Sequence, residues 1–144
     1  MKPLDHFRAM IAGEAEPPPV GKLIGFAMTE VEPGRAVFEM EAGPQHASPL
    51  GSVHGGVICD LLDGAMGVSH ASLLEDGETF TTLELKINFM KPVWSGHLRA
   101  EGKVIKQGRT IGLVEGRVTD ESGSLVAYAT STCMTLRGDA AKGR

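Results

Sequence analysis

The sequence predicts an α+β protein in which a single curved antiparallel β-sheet wraps around one long central helix. Two runs of alternating apolar and polar residues precede a helical segment near the middle of the chain, and four such runs follow it. Short turns join consecutive runs, which is typical of antiparallel hairpins rather than of βαβ units. The central segment has the apolar spacing of a helix that packs one broad face on a sheet.

Composition and charge narrow the class of protein. The chain has 144 residues, of which 42% are hydrophobic and 22% charged, so it can fold as one domain with a sizeable core. Its formal net charge of -4 provides no general basic field for nucleic acid or an anionic membrane, and its few aromatic residues suggest no stacking platform for bases. We expect neither a secretory signal nor a membrane span, which needs ~20 apolar residues. The predicted location is therefore cytoplasmic, without nucleic-acid or membrane partners.

Metal and cofactor chemistry are not indicated. The two cysteines, Cys59 and Cys133, form neither a disulfide framework nor a CxxC metal motif. The histidines show no HExxH or other metal-binding spacing, and the chain has no GxSxG nucleophile elbow. We therefore expect no metal and no dedicated cofactor.

The chain is predicted to divide into an N-terminal segment, a main domain and a tail. Residues 1–22 are expected to form a short helix and a proline-rich linker. The apolar side chains within residues 2–12 lie roughly on one side of a helix, and the three prolines at 17–19 forbid its continuation. The main domain is expected over residues 23–136, and residues 137–144 are expected to be a flexible tail.

The first two strands are predicted on either side of the turn Glu-Pro-Gly-Arg. In residues 23–31, Ile24, Phe26 and Met28 alternate with other side chains, and residues 35–42 alternate in the same way. Because the two runs are adjacent in sequence, we expect them to pair as a hairpin. A loop rich in turn-forming residues then leads to the helix.

Four further strands are predicted after the helix. The first lies within residues 79–93 and has an apolar face and a polar face, formed by Leu83, Leu85, Ile87 and Phe89 and by Glu84, Lys86 and Asn88 respectively. The other three lie within residues 97–107, 110–120 and 124–136. Short turns between these three predict antiparallel hairpins.

The central helix is predicted to begin at the His-Gly-Gly stretch 54–56 and to end near Gly77. One mostly apolar face is expected to pack on the concave side of the sheet, and its members are Val57, Ile58, Leu61, Leu62, Ala65, Val68 and Ser69. Asp63 points nearly the opposite way, on a face whose other members are Cys59, Asp60, Met66, Gly67 and His70. Cys59 and Met66 favour partial burial of that face and hence a second copy of the protein over it. The alternative is that Asp63 is a solvated surface residue.

The start of this helix has the features of a binding site for a negatively charged oxygen. The first N–H groups of a helix lack intrahelical partners and concentrate partial positive charge. Gly55 and Gly56 have no Cβ, so a ligand oxygen can reach those donors. A carboxylate, Asp63, follows about two turns later. The alternative interpretation of the two glycines is a flexible helix start with His54 near the cap.

The stretches HASPLGSVHGGVICDLLDGAMG and TTLELKINFMKPVWSGHLRAEGKVIKQGRT resemble the PaaI-like branch of the hotdog-fold acyl-CoA thioesterases. The similarity runs from about Leu23 to Leu136, and the spacing of nine residues from His54 to Asp63 is fairly specific when paired with the downstream strand. The resemblance implies a hotdog fold and a homodimer, commonly paired again into a homotetramer, with active sites between protomers. It also implies an acyl-CoA substrate, so that coenzyme A enters as part of the substrate.

The resemblance assigns catalytic roles to three residues. It implies that Asp63 activates water or attacks the thioester, that the Gly55 N–H binds the carbonyl oxygen across the dimer interface, and that His54 supports the environment of that oxygen. Gly56, next along the helix start, is expected to contact substrate. A thiol with a pKa near ~8.5 leaves without a dedicated general acid, so a carboxylate base and an oxyanion site suffice for thioester hydrolysis.

Four further residues are candidates for substrate binding. Ser48 stands six positions before His54, where the family often has Asn or Gln, and its hydroxyl has a shorter reach although it still donates and accepts. Thr82 matches a position where a related thioesterase type uses Ser beside the acid; alternatively it is an ordinary β-branched strand residue. Lys106 and Arg109 belong to the nearest basic cluster for the phosphates of coenzyme A, or are solvated turn residues.

The predicted activity is hydrolysis of an acyl-CoA thioester with an aryl, arylacetyl or medium-chain acyl group. Met66, Phe89, Met90 and Trp94 are expected to line an apolar acyl pocket, or else belong to the core. The departure at Ser48 motivates an alternative, a non-catalytic acyl-CoA-binding or sensing protein. A hydratase of the same fold is disfavoured, because such enzymes usually pair an Asp with a His about five residues on, and residue 68 is Val.

Overall fold

The computed structural model describes residues 1–143 and contains one six-stranded antiparallel sheet. Its strands are β1 (Phe26–Glu32), β2 (Arg35–Ala42), β3 (Thr79–Phe89), β4 (Gly96–Gln107), β5 (Ile111–Thr119) and β6 (Leu125–Leu136). Their order across the sheet is β1-β2-β4-β5-β6-β3. The helices are α1 (Pro3–Ile11), α2 (Pro19–Ile24) and α3 (Gly55–Ala71), with 3-10 turns at Pro44–His46 and Gly138–Ala141. The predicted α+β architecture, a sheet around one long helix, is confirmed.

Helix α3 packs on the sheet through the apolar face that its spacing predicts. Leu61, Leu62 and Ala65 are fully buried in the core. The sheet approaches closely where it has glycine: a Cβ at Gly102 of β4 would lie 2.5 Å from the carbonyl oxygen of Ala65. Since any larger residue would collide with the helix backbone there, this glycine sets the distance between sheet and helix.

The prediction that Met66 lies on the outer face of α3 beside Asp63 is wrong. Met66 is fully buried in the core, and His70, predicted on the same face, is fully buried as well. The Met66 side chain occupies the space left by Gly116 of β5, where a Cβ would lie 2.9 Å from Met66 Cγ and 3.0 Å from its Sδ. The missing side chain on the strand therefore widens the buried face of the helix beyond what helical spacing predicts.

The predicted strand over residues 23–31 is wrong at its start, because the chain forms α2 there. Pro19 lies in the first turn of this helix, where its missing N–H costs nothing. Gly25 ends the helix in the left-handed conformation, at a φ of 95°. Ile24 therefore belongs to a helix, and the alternation begins at Phe26.

Helix α3 ends at Ala71 rather than near Gly77 as predicted. The Ser72 hydroxyl donates to the carbonyl oxygen of Ser69 at 2.7 Å and accepts from the N–H of Gly34 at 2.8 Å. The helix thus stops where its end is tied to the turn between β1 and β2.

The ends of the chain contribute little to the core. Helix α1 lies where a short N-terminal helix is predicted and has no buried residue. The predicted tail includes the 3-10 turn Gly138–Ala141, and Arg137 pairs with Glu78; Arg144 lies outside the described residues. Across residues 1–143, none of the helices combines the length and the apolar character that crossing a membrane requires.

Candidate active site

The start of α3 presents one backbone donor that the protein leaves free. His54 is the N-cap, and its Nδ1 accepts from the N–H of Gly56 at 2.9 Å. The N–H of Val57 donates to the carbonyl oxygen of His54 at 3.0 Å. The N–H of Gly55 stands at the first helical position, where a helix offers no acceptor, and within residues 1–143 it has no other acceptor. Gly55 therefore supplies the open donor, while His54 already engages Gly56.

The end of β3 covers this helix start. A Cβ at Gly55 would lie 2.9 Å from Cζ of the Phe89 ring. The Phe89 side chain is itself 52% exposed, so it forms one wall of an open surface. Glycine at position 55 therefore makes room for the ring and keeps the N–H accessible.

Asp63 lies on the exposed side of α3 and is held by a residue of β3. Its Oδ1 accepts a hydrogen bond from Thr82 Oγ1 at 3.2 Å. Desolvation by the surrounding protein raises the pKa of Asp63, the Thr82 hydrogen bond lowers it, and the charge of Asp60 raises it. The net effect is a raised pKa, which makes this carboxylate a better proton acceptor than an ordinary aspartate.

A β-bulge at Leu83 turns Thr82 toward α3. The register of β3 and β6 shifts between Thr82 and Glu84, so Thr82 stands opposite Cys133 and Leu85 opposite Ser131. Cys133 and Ser131 are both buried. Strict alternation predicts Leu83 and Leu85 on the inner face and Thr82 on the outer face. Leu83 is 54% exposed, so its predicted position on the apolar face is wrong. The extra residue re-aims Thr82, as bulges commonly do beside sites.

Asp63 and Gly55 of one chain do not form a single site. They stand eight residues apart on α3, which corresponds to about 12 Å along the helix axis. That distance exceeds the size of one thioester group. Asp63 instead meets the first half of β3 through Thr82, and Gly55 meets its last residue, Phe89.

Ser48 forms hydrogen bonds within its own loop. Its Oγ accepts from the N–H of Leu50 at 3.2 Å, and its N–H donates to the carbonyl oxygen of Ser52 at 2.7 Å. These bonds shape the turn that leads into α3. The predicted contact of Ser48 with substrate stays a prediction.

Lys106 and Arg109 lie in the β4–β5 hairpin and are exposed. This hairpin packs against the C-terminal end of α3, since a Cβ at Gly112 would collide with Nδ1 of His70. His70 stands seven residues beyond Asp63, about 10 Å along the helix. One chain therefore does not bring these two basic residues to Asp63. The structure also shows no group of three or more His, Cys, Asp or Glu side chains in residues 1–143 that is placed to hold a metal ion.

An apolar cavity of about 660 Å³, which no motif in the sequence predicts, lies between the N-terminal helices and the first hairpin. Of the residues expected to line an acyl pocket, Met66 lies in the core, which was the alternative for it. Phe89, Met90 and Trp94 are exposed and do not line this cavity, so their place in an acyl pocket stays a prediction. The apolar lining of the cavity comes mainly from α1, β1 and β2 and includes Phe7, Met10, Phe26, Met28, Phe38 and Met40. The apolar side of the N-terminal helix was the signal that could have pointed to it.

Comparisons with known proteins agree on one family. Residues 50–127 match the family model described as the thioesterase superfamily. A solved structure of a phenylacetic acid degradation-related protein from Ralstonia eutropha is 33% identical, has a TM-score of 0.82, and covers 90% of this chain and 98% of its own. The 1,4-dihydroxy-2-naphthoyl-CoA hydrolase of Listeria monocytogenes is 29% identical over 76% of this chain and 89% of its own length. The PaaI protein of Escherichia coli shares the fold, with a TM-score of 0.82 at 23% identity over 95% of both chains.

The fold and these comparisons together define a hotdog-fold hydrolase of thioesters. The chain belongs to the thioesterase superfamily. The predicted fold class and the predicted resemblance to PaaI-like members are thereby confirmed.

Proposed function

We propose that the protein is an acyl-CoA thioesterase whose active site is completed by a second copy of the chain. The observation that carries the proposal is the placement of the two reactive groups along one exposed strand. Asp63 is bonded to Thr82, and Gly55 lies under Phe89. Both Thr82 and Phe89 belong to β3.

Strand β3 is an outer strand of the sheet and has a free edge. It has 11 residues and, within residues 1–143, pairs on one side only, with β6. It carries exposed Leu83 and Phe89, and exposed Met90 follows it. Stable proteins usually shorten, charge or cover such an edge. A second β3 strand would cover this one.

Antiparallel pairing of two β3 strands would bring the separated groups together. A two-fold axis at Lys86 pairs Lys86 with its own copy and Glu84 with Asn88. The extra residue at Leu83 then sets Phe89 of one copy beside Thr82 of the other. The free Gly55 N–H of one protomer consequently approaches Asp63 of its partner. Such an interface is self-complementary, so each dimer would contain two equivalent sites.

In the proposed mechanism, Asp63 takes a proton from a water molecule, and the water oxygen attacks the thioester carbonyl carbon. The tetrahedral oxyanion accepts a hydrogen bond from Gly55 N–H of the other protomer. The carbon–sulfur bond then breaks and the thiolate leaves. The proton held by Asp63 passes to the thiolate or to solvent. The products are a carboxylate and coenzyme A. General-base catalysis supplies about 10²- to 10⁴-fold, and one oxyanion donor about 10²- to 10³-fold.

Two finer statements belong to the same proposal. The Listeria relative acts, by its name, on a CoA thioester, which supports coenzyme A as the thiol part of the substrate. The homodimer is the smallest active unit in this proposal. The homotetramer and the cytoplasmic location stay predictions from the sequence.

A panel of thioesters tests the proposal. We expect the purified protein to release free thiol from acyl-CoA and to have the mass of a dimer or a multiple of it at working concentration. Acyl-CoA binding by calorimetry without thiol release from any member of the panel would instead support the non-catalytic alternative. A monomeric mass in the active preparation would contradict the shared site.

Replacing Thr82 with Val tests its role as a positioning residue. The hydroxyl lowers the pKa of Asp63, so its loss raises that pKa further and moves the acidic limb of the kcat–pH profile to higher pH. We also expect kcat to fall roughly tenfold, since one hydrogen bond to a charged group is worth about 1.5 kcal/mol or more. Thr82→Ser keeps the hydroxyl and should restore both. An unchanged profile in Thr82→Val would show that the bond does not act on Asp63.

A further inference from the structure

We propose that the cavity beneath the N-terminal helices receives the acyl chain of the substrate and selects long, unbranched acyl groups over a single aromatic ring. This inference rests on the proposed thioesterase function and goes further by naming the acyl class. Four features of the cavity support it: its size, its wall, its connection to Asp63 and the origin of its roof.

The size and wall of the cavity suit a flexible apolar chain. Its volume of about 660 Å³ lies in the range of pockets that hold drug-sized ligands, about 300–1,000 Å³. Methionines from three different elements line it, namely Met10, Met28 and Met40. Unbranched thioether side chains adapt to a ligand that takes several conformations. A single ring would leave much of this volume unfilled.

The polar side chains of the cavity are largely engaged with one another. His97 is held between two carboxylates, with its Nε2 2.8 Å from Glu39 Oε1 and its Nδ1 2.7 Å from Glu41 Oε1. The Thr29 hydroxyl donates to the carbonyl oxygen of Val37 at 3.5 Å. Lys22, the remaining charged lining residue, is exposed. A substituted ring that needs hydrogen bonds would therefore meet few free partners, whereas a plain hydrocarbon chain needs none.

One wall of the cavity reaches the helix turn that carries Asp63. The Phe38 ring lines the cavity and also lies against Gly64, where a Cβ would be 3.0 Å from ring carbon Cε2. Val68, four residues after Gly64 and hence on the same side of α3, lines the cavity too. The buried Phe38 ring fills the space beside Gly64 and closes this route in this structure. In the proposal, an acyl chain whose carbonyl stands at Asp63 crosses α3 at Gly64 and turns the Phe38 ring aside to enter the cavity.

The roof comes from a part of the chain outside the residues matched by the family model. Helix α1, α2 and the prolines between them lie before residue 26, whereas the match covers residues 50–127. Helix α1 has no buried residue, and Gly21 is the buried residue of α2. The proposed catalytic groups thus lie within the residues that the family model matches, and the roof of the cavity lies before them.

The test measures kcat/KM as a function of acyl chain length, and substitutions of Met10 change the volume of the cavity. With linear acyl-CoA substrates, we expect kcat/KM of the wild type to rise about fourfold per methylene until the cavity is filled, which is the value of one buried methylene. Met10→Trp should reduce kcat/KM for the longest substrates at least tenfold and change that for the shortest less than twofold. Met10→Ala should move the optimum to longer chains.

Ile11→Trp is the matched control. Ile11 is the next residue of α1 and is 40% exposed, and it does not line this cavity. The same increase in side-chain size there should leave the chain-length profile unchanged. Dissociation constants of alkyl-CoA thioethers, which cannot be hydrolysed, should show the same dependence on chain length and on Met10, so the inference has a readout without turnover.

Distinct outcomes separate this inference from the proposed function. Hydrolysis with a flat chain-length profile, a preference for a single-ring thioester, or an equal shift in Met10→Trp and Ile11→Trp would overturn the chain-selecting cavity and leave the thioesterase standing. No hydrolysis of any thioester, together with thioether binding that tightens with chain length in a Met10-dependent way, would overturn the proposed function and retain the cavity as an acyl site.

Discussion

Asp63→Asn is expected to lower kcat for thioester hydrolysis by at least about 100-fold, since a general base typically supplies 10²- to 10⁴-fold. The amide keeps the shape of the side chain, and its oxygen can still accept from Thr82 Oγ1, as Oδ1 of Asp63 does at 3.2 Å. It cannot take a proton from water at neutral pH. Released thiol measures kcat, and the dissociation constant of an alkyl-CoA thioether shows that the site still binds.

Asp60→Asn is the matched control for this variant. Asp60 lies one turn earlier on α3 and is exposed. Its replacement by Asn removes the same charge from the same helix. We expect its kcat to stay within about twofold of the wild type. Because the Asp60 charge raises the pKa of Asp63, the acidic limb of the profile should move slightly to lower pH.

The pH profile gives a second test of Asp63. The base must be ionised, so kcat falls as the pH drops through the pKa of Asp63. Desolvation raises that pKa, so the fall should begin at a higher pH than an ordinary aspartate would give. The Asp63→Asn variant should lack this limb. A variant with full activity, or with the same limb, would remove Asp63 from the mechanism.

The features that the sequence predicts correctly are those that local spacing determines. Alternation along β2 and β4–β6, helical spacing in α3 and the His-Gly-Gly start each depend on neighbours within a few residues. Short turns between adjacent runs then leave antiparallel pairing as the simple arrangement. The position of Asp63 on the outer side of α3 follows from the same periodicity.

The features that it misses depend on residues far apart in sequence. Met66 is buried because Gly116 on a distant strand leaves a space for it. The resemblance places Thr82 beside Asp63, and the hydrogen bond agrees, but the bulge at Leu83 that turns Thr82 there shows only in the pairing with β6. The apolar cavity needs α1 folded back over the β1–β2 hairpin. No pattern within one segment predicts such contacts.

Gly55→Pro is expected to reduce kcat about 10²- to 10³-fold, the usual effect of losing one oxyanion donor. Proline removes the N–H at the first helical position, where helices tolerate it well. His54 already has the extended backbone, with ψ of 134°, that a residue before proline requires. The fold should therefore persist, and circular dichroism and the dimer mass check that it does.

Gly55→Ala separates the lost donor from the added bulk. It keeps the N–H and adds a Cβ 2.9 Å from the far end of the half-exposed Phe89 ring, which can shift. We expect a loss of only a few-fold. An equal loss in Gly55→Ala and Gly55→Pro would mean that space at the helix start, and not the donor, limits the reaction.

Mixing Gly55→Pro with Asp63→Asn tests whether the two groups come from different protomers. In a mixed dimer with shared sites, one site carries both defects and the other carries neither, so half of the sites work. Random pairing of equal amounts makes about half of all dimers mixed, and the mixture should therefore reach about a quarter of wild-type activity although each parent is nearly inactive. If both groups acted within one chain, every site would keep a defect and the mixture would stay at the parental level. Activity regained on mixing therefore requires an active site formed by two copies of the chain. It would also explain why Gly55 and Asp63 of one chain stand about 12 Å apart, at about 1.5 Å per helical residue, because each would act with the partner's copy of the other.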